Sequence, residues 1–293
     1  MVSELSRDGW RSSDPLRPVL FVNPRSGGGK AARAAVAERA RERGIETVIF
    51  APGQSLEALA REAVATGADA LGVAGGDGSL AVVAAAAAAH GLPFVCVPAG
   101  TRNHFALDLG LDPQNVLGAL DAFTDGIERR IDVADVNGRV FLNNVSLGIY
   151  GDAIRSPAYR DAKIRTLFET AEKVLGPSAE VPALRLVDDV GREYRHLAVV
   201  LVSNNPYLLD RPLVTAARPA LDSGRLGIIV LDAPGASPHQ PDRAWSAPRL
   251  EVSALAPAVH AGVDGEPVDL TPPLQFTIRP GALRVRISSR RPV

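Results

Sequence analysis

The chain has 293 residues, enough for two domains of ordinary size, and its hydrophobic content of 46% is typical of a globular protein. Its formal net charge of -1 gives no general attraction to nucleic acid, and its single cysteine, Cys96, excludes an internal disulfide. No stretch approaches the roughly 20 apolar residues of a membrane-spanning helix, and Met1 to Arg17 lacks the apolar core of a signal peptide. We expect a cytoplasmic protein, a location that is compatible with peripheral binding at the inner face of the membrane.

A glycine-rich loop follows the first predicted strand. Pro18 to Val22 is apolar throughout and predicts a buried strand, residues 23–30 read NPRSGGGK, and a helix is predicted from Ala31 to about Arg43. The spacing differs from the nucleotide-binding P-loop, in which Ser or Thr follows the lysine. Arg25 and Lys30 are candidates for an anion site, and the alternative is a flexible turn with solvated charges.

A second and a third strand–helix unit come next. Glu46 to Phe50 predicts a strand, and Ser55 to Thr66 predicts a helix with Ser55 as its N-cap. Leu71 to Ala74 predicts a buried strand that breaks into residues 75–79, GGDGS, before an alanine-rich helix from Leu80 to His90.

The GGDGS loop has the composition of a phosphate-binding turn. Its glycines let a ligand approach the backbone, and the N-terminus of the following helix adds unpaired N–H donors. Asp77 among those donors indicates contact with a cation or a polar ligand group. The alternative is a tight turn in which Asp77 is a helix cap.

A fourth strand, Pro93 to Val97, leads into residues 98–106, which contain Thr101 and Asn103. Alternating strands and helices with short connections predict a parallel sheet, and ligands of such sheets bind at the carboxyl ends of the strands. We therefore expect the loops after the first, third and fourth strands to lie at one edge of the sheet.

From Ile131 the pattern becomes one of strands and turns, so a domain boundary is predicted there. Asp132 to Val145 predicts a hairpin with Asn137-Gly138 as its turn, and 162–175 predicts a helix. The later strands and a loop at 232–248 predict a mostly antiparallel β-sandwich. The predicted strands are 183–187, 196–203, 227–231, 249–255, 274–278 and 283–287.

Five motifs together resemble a known family. In chain order they are NPRSG at 23–27, GGDGS at 75–79, PAGTRN at 98–103, IDV at 131–133 and DGE at 264–266. The ordered set resembles the soluble bacterial lipid kinases with a diacylglycerol kinase catalytic domain, a diacylglycerol/sphingosine kinase-like family, over Pro18 to Ile287.

The resemblance implies a two-domain architecture. It gives an α/β nucleotide-binding domain with a parallel sheet over 1–131 and a mostly antiparallel β-sandwich for the lipid over 132–282. It also implies that the tail, 283–293, returns to the first domain and that the active site lies in a cleft between the two domains.

The same resemblance implies transfer of the γ-phosphoryl group of ATP to the hydroxyl of diacylglycerol or a related lipid, with Mg²⁺. Glu266 is then the general base, Asp77 is catalytic, and Asp77 and Asp132 belong to the magnesium network; these roles fit the needs of phosphoryl transfer. A plain hairpin turn is the alternative for 264–266. The implied nucleotide contacts are Asn23, Ser26, Gly27, Gly75, Gly76, Asp77, Gly78, Ser79, Thr101 and Asn103.

Three departures from the family pattern keep other functions open. His104 stands where many members carry Asp, Ser223 stands where a structural metal usually has a carboxylate, and 50–52, FAP, lacks a threonine often found near the ribose. The alternatives are a non-catalytic nucleotide- or lipid-binding protein of the same fold, or a kinase of a soluble acceptor such as NAD.

A basic cluster surrounds the predicted helix at 162–175. It suits either a rim for anionic lipid head groups at a membrane surface or a solvated helix face of mixed charge. The sequence leaves homodimer formation open. The cluster comprises Arg155, Arg160, Lys163, Arg165 and Lys173.

Overall fold

The computed structural model describes residues 9–148, 184–208, 218–232 and 244–289. The chain divides into two compact units: unit 1 is Met1–Asp132 with Gly281–Val293, and unit 2 is Val133–Pro280. The predicted helix at 162–175 and its basic cluster lie outside the described residues. Among the helices that the structure describes, none combines the length and the apolarity needed to cross a membrane.

Unit 1 contains a parallel sheet with helices in the connections, which confirms the predicted α/β class. Its central strands are buried at every position, as expected for parallel strands covered on both faces. The strands are β1 (Trp10–Arg11), β2 (Pro18–Val22), β3 (Glu46–Ile49), β4 (Ala70–Gly75) and β5 (Pro93–Pro98). The helices are α1 (Ser26–Arg33), α2 (Val36–Arg41), α3 (Leu56–Ala65), α4 (Asp77–His90) and α5 (His104–Asp108), with a 3₁₀ helix at Gly118–Phe123.

The structure confirms one helix start and corrects another. Ser55 is the N-cap of α3, and its hydroxyl accepts a hydrogen bond from the Ala58 amide at 3.2 Å. The helix predicted from Leu80 begins three residues earlier, because extended Gly76 is the N-cap and Asp77 opens the first turn. An acidic residue there is favoured by the positive end of the helix dipole.

The single helix predicted from Ala31 to Arg43 is wrong. Ala35 adopts a left-handed conformation (φ 51°) and separates α1 from α2. The break lets α2 bury Val36, Ala37 and Ala40 in the core of unit 1. No residue with a strong turn preference marks this break in the sequence.

Unit 2 is built from antiparallel strands, as predicted. Two strands are shared with unit 1: β6 (Gly126–Val136) and β16 (Leu274–Ser288) cross the boundary between the units. The order is β15-β14-β8-β10-β9-β13-β16, and β11 and β12 extend from β10. The remaining strands are β7 (Arg139–Phe141), β8 (Asn144–Gly148), β9 (Leu184–Asp188), β10 (Glu193–Asn204), β11 (Leu226–Asp232), β12 (Ala244–Ala247), β13 (Arg249–Ser253), β14 (Val259–Val263) and β15 (Glu266–Leu270).

The predicted hairpin at Asn137-Gly138 is confirmed, whereas one other prediction for unit 2 is wrong and two strands were missed. Both turn residues have positive φ, and Val136 pairs with Arg139. The loop predicted at 232–248 is incorrect at both ends, because Asp232 closes β11 and Ala244–Ala247 forms β12; residues 233–243 lie outside the described part. Strands β14 and β15 were not predicted.

The last two predicted strands, 274–278 and 283–287, are one continuous strand, β16. The Pro280-Gly281 pair in its middle is typical of a turn that ends a strand. Gly281 instead adopts a positive φ (59°), and the strand continues beyond it. Beyond it, Arg284 and Val285 pair in parallel with Pro93 and Phe94 of β5, so β16 lies beside β5 in unit 1.

Gly72, in the centre of β4, tests the packing of unit 1. A Cβ there would lie 2.6 Å from Cζ of Phe123 and 3.1 Å from the Val95 carbonyl oxygen. We expect Gly72→Ala to lower the free energy of unfolding by about 1–3 kcal/mol in urea titrations, because the added methyl group would overpack the core. Combining it with Phe123→Leu should recover part of the loss; an unaltered stability of Gly72→Ala would contradict the packing described here.

Candidate active site

Three loops at the carboxyl ends of β2, β4 and β5 contact one another through glycines. A Cβ added at Gly27 would lie 2.5 Å from the Ala99 carbonyl oxygen, and one at Gly100 would lie 2.5 Å from Cα of Gly76. A Cβ at Gly76 would lie 3.4 Å from Oγ of Ser26. The loops therefore converge at the sheet edge, as the parallel topology predicts, and their backbones approach too closely for larger residues.

The loop after β2 is a chain of left-handed glycines. Gly27, Gly28 and Gly29 have φ of 55°, 65° and 86°, values that L side chains rarely adopt. Before them, Asn23 Oδ1 accepts a hydrogen bond from the Arg25 amide at 3.1 Å. Because these three residues are glycines, the loop carries no side chain between Ser26 and Lys30.

The ammonium group of Lys30, one of the two candidates for an anion site, already has a backbone partner. Its Nζ donates a hydrogen bond to the Pro113 carbonyl, and the guanidinium of Arg33 donates to the Gly28 carbonyl. Arg25 is exposed. Of the two cations predicted to line the loop, only Arg25 lacks a described contact through its side chain.

Asp77 lies in the first turn of α4 and is half-buried. Its Oδ1 accepts a hydrogen bond from the Phe105 amide at 3.3 Å, which connects the GGDGS loop to the start of α5. Burial raises the pKa of the Cys96 thiol, and the negative charge of Asp77 raises it further. The negative charge of Asp77 therefore acts on Cys96, inside the sheet, as well as at the edge of the sheet.

Asn103 closes the third loop. It is left-handed (φ 54°) and 3% exposed, and its side chain bonds Gly100 twice: Oδ1 accepts from the amide and Nδ2 donates to the carbonyl, both at 2.8 Å. Thr101 is exposed at the tip, and His104 begins α5 on the surface. Asn103 therefore shapes the loop, while Thr101 is accessible to a ligand.

Asp132 is buried, with 1% exposure, and its Oδ1 accepts the Gly281 amide at 2.9 Å. Within the described ranges no three His, Cys, Asp or Glu side chains are grouped so that they could hold a metal ion. Mg²⁺ usually needs only one or two carboxylates, with water and substrate phosphates supplying the remaining oxygens. Asp77 suits that need better than Asp132, because Asp77 is half-buried whereas Asp132 is enclosed.

In unit 2, Asp264 and Gly265 form the two-residue turn between β14 and β15. Their φ values are 50° and 83°, and Val263 pairs with Glu266, which is the geometry of a type I′ hairpin. The Asp264 carboxylate accepts hydrogen bonds from three successive amides, at 2.9, 2.7 and 3.2 Å. Those amides belong to Leu142, Asn143 and Asn144.

Glu266, the first residue of β15, is exposed, and no side chain in the described residues bonds its carboxylate. The two acids of the motif therefore differ in role: Asp264 anchors the turn, and Glu266 is presented to solvent. The hairpin that was the alternative for 264–266 is present, and it is compatible with a chemical role for Glu266.

Ser223 lies in the turn where the family pattern that the sequence resembles would place a metal-binding carboxylate. Its hydroxyl accepts from Nδ2 of Asn205 at 2.8 Å and from the Arg225 amide at 3.3 Å. Nearby Arg218 is buried and was missed by sequence analysis, since an arginine before a proline carries no pattern that distinguishes a buried residue from a solvated one.

Comparison with known proteins identifies the class. Residues 17–136 match the diacylglycerol kinase catalytic domain. A Pseudomonas aeruginosa protein named "Probable lipid kinase YegS-like" is 30% identical over 310 residues, covering 96% of this chain and 97% of its own. A Mycobacterium tuberculosis diacylglycerol kinase is 39% identical over 128 residues, 41% of each chain.

A solved structure supports the fold. The crystal structure of a Bacillus anthracis diacylglycerol kinase matches with a TM-score of 0.67 and 20% identity, and covers 95% of this chain and 99% of that one. The matched domain and the relatives define the class of protein as a kinase. The chain belongs to the diacylglycerol kinase catalytic domain family of lipid kinases.

The two acids of the DGE turn provide a matched test of their different roles. We expect Asp264→Asn to lower the free energy of unfolding by about 2 kcal/mol, because a charged acceptor shared by three amides is lost. Glu266→Gln should change it by less than about 0.5 kcal/mol, because an exposed, unbonded carboxylate is replaced. Urea denaturation of both variants measures this; equal losses would contradict the assigned roles.

Proposed function

We propose that the protein is an ATP-dependent lipid kinase that transfers the γ-phosphoryl group to the hydroxyl of diacylglycerol or a related lipid. The observation that carries the proposal is the convergence of the three glycine loops beside the N-terminus of α4. Glycine backbones and unpaired helix N–H groups form a cradle that suits a chain of phosphates. The proposed nucleotide contacts are those that the family resemblance implies.

Membership of a kinase family supports phosphoryl transfer as the reaction. Phosphoryl transfer needs charge neutralisation and an aligned nucleophile more than covalent help from the protein. In this proposal Thr101, at the exposed tip of its loop, and Ser26 provide hydroxyls beside the phosphates. Asn103 acts by holding the Gly100 backbone in place.

The carboxylate of Asp77 would hold Mg²⁺, which on binding would neutralise phosphate charge, and Asp132 would support the site from its buried position. Asp77 retains this capacity although one of its oxygens accepts the Phe105 amide, since a carboxylate has further lone pairs. His104 is an exposed imidazole at the start of α5 and brings no carboxylate oxygens to the site.

Glu266 is the proposed general base. As the lipid hydroxyl oxygen forms its bond to the γ-phosphorus, the bond from that phosphorus to the bridging oxygen breaks and ADP leaves. The hydroxyl proton passes to the Glu266 carboxylate, which is available because it has no described partner. The proposal requires that Glu266 and the glycine loops reach the same substrate.

The choice of lipid comes from the relatives. Proteins of Mycobacterium tuberculosis and Bacillus subtilis that match 41% and 43% of this chain are named diacylglycerol kinase. We propose the same acceptor class here, delivered from a membrane surface to which the protein binds peripherally. Reversible binding of the protein to a membrane surface would not require a membrane-spanning segment.

Glu266→Gln tests the proposed base. We expect transfer of label from γ-labelled ATP to extracted lipids to fall by about 100-fold or more, because the proton acceptor is lost. Binding of ATP, followed by titration calorimetry, should be unchanged. Asp269→Asn, an exposed acid on the same strand, is the control and should retain wild-type transfer.

Three outcomes contradict parts of the proposal. Wild-type transfer by Glu266→Gln would remove the base assignment. Tight ATP binding without transfer to any lipid in saturating Mg²⁺ would favour a non-catalytic binding protein. Transfer to NAD or another water-soluble alcohol, but not to lipids, would make the acceptor soluble.

Asp77→Asn tests the metal assignment. Asparagine keeps an oxygen that can accept the Phe105 amide, so the fold should persist while the negative charge is lost. We expect the Mg²⁺ concentration for half-maximal rate to rise by about 10- to 100-fold. Glu57→Gln, on the exposed face of α3, is the control; an unchanged Mg²⁺ requirement in Asp77→Asn would contradict the assignment.

A further inference from the structure

The guanidinium of Arg218 lies behind the segment to which the DGE turn is anchored. The residue is 4% exposed. One of its nitrogens donates hydrogen bonds to the carbonyls of Leu142 and Asn204, the latter at 2.6 Å, and another donates to Oδ1 of Asn143 at 3.0 Å. A buried cation is costly unless such acceptors surround it, so the arrangement is built around this side chain.

One peptide group joins Arg218 to the turn. The Leu142 carbonyl, which accepts from Arg218, and the Asn143 amide, which donates to Asp264 at 2.7 Å, belong to the same peptide bond. The sequence of contacts is therefore guanidinium, peptide, carboxylate. Hydrogen bonds in such a chain polarise one another, and both ends are charged, which makes each bond stronger than a neutral one.

We propose that Arg218 is a positioning residue for Glu266, acting through the Leu142–Asn143 peptide and the Asp264 carboxylate. The inference rests on the proposed role of Glu266 as the general base. Asp264 lies two residues before Glu266, and the turn between them fixes the pairing of Glu266 with Val263. A change in that pairing would direct the Glu266 side chain to the other face of the strand.

The left-handed backbone of Asp264 (φ 50°) makes the turn dependent on its anchor. A residue with a Cβ is seldom stable in this region without compensating contacts. The carboxylate bonds to the 142–144 amides provide that compensation, and Arg218 holds the same segment from its other side. Weakening Arg218 should therefore loosen the turn without removing any group that contacts substrate.

Arg218→Lys is the test variant. It keeps the positive charge, but a single ammonium cannot reproduce the planar fork that reaches three oxygens. We expect kcat to fall by about 10- to 100-fold, as for a misplaced catalytic group, while KM for ATP stays unchanged because the glycine loops are not altered. Hydrogen exchange at the amides of 142–144 should become faster.

A double variant separates positioning from general loss of structure. In the Glu266→Gln background, adding Arg218→Lys should cause no further fall in kcat, because the group being positioned is already absent. Equal falls in both backgrounds would overturn the inference, as would unchanged exchange at 142–144. An inactive Glu266→Gln beside a fully active Arg218→Lys would overturn the inference alone, whereas a fully active Glu266→Gln would overturn the proposed base assignment and this inference together.

Arg286→Lys is the matched control. Arg286 is a buried arginine of unit 1 that also bonds a carbonyl, that of Ala122, and forms an ion pair with Glu128. Its replacement should lower the melting temperature while kcat and exchange at 142–144 stay at wild-type values. A comparable fall in kcat for this control would show that loss of stability explains the Arg218→Lys result.

Discussion

The close approach of three backbones at Gly27, Gly76 and Gly100 is the constraint on which unit 1 depends. At two of these positions an added Cβ would lie 2.5 Å from backbone atoms of a neighbouring loop, so the loops cannot be filled by side chains without moving apart. The parallel sheet brings their three carboxyl ends together, and the glycines convert that proximity into an edge lined by main-chain atoms. Asp77 is then the one acidic side chain in the first turn of α4, where the positive end of the helix dipole favours it.

Unit 2 exposes one carboxylate, that of Glu266, beside a two-residue turn. The two acids of DGE are only two residues apart, yet Asp264 is bound by three amides and Glu266 by none of the described groups. The difference lies in burial and partners: Asp264 is half-buried beside the 142–144 amides, and Glu266 begins β15 in solvent. Buried Arg218 donates to the carbonyl of the same peptide whose amide donates to Asp264, so both charged groups are hydrogen-bonded to one peptide.

Sequence patterns predicted the fold where local chemistry and global structure agree. Fully apolar β2, β4 and β5, the Ser55 cap and the Asn137-Gly138 turn each carry a strong local preference, and each is present. The errors fall where tertiary contacts decide. Ala35 breaks a helix because α2 packs against the core, and β16 continues through Pro-Gly because its pairing continues beyond it. For the site, motif order predicted roles for Asp77 and Glu266 that stay predictions, and no sequence signal could indicate that Lys30 bonds a carbonyl or that Arg218 is buried.

Asp132 shows how a buried carboxylate can stabilise the connection between the two units. The chain crosses from one unit to the other at 132–133 and again at 280–281, and the Asp132 carboxylate bonds the Gly281 amide between those two crossings. Strands β6 and β16 are paired neighbours, so this bond fastens the two connecting strands to each other at the point where they leave unit 1. Arg130 adds a bond to the Gly281 carbonyl, and left-handed Gly281 allows both contacts. Asp132 is thus a buried carboxylate with a backbone partner, whereas the Glu266 carboxylate is exposed.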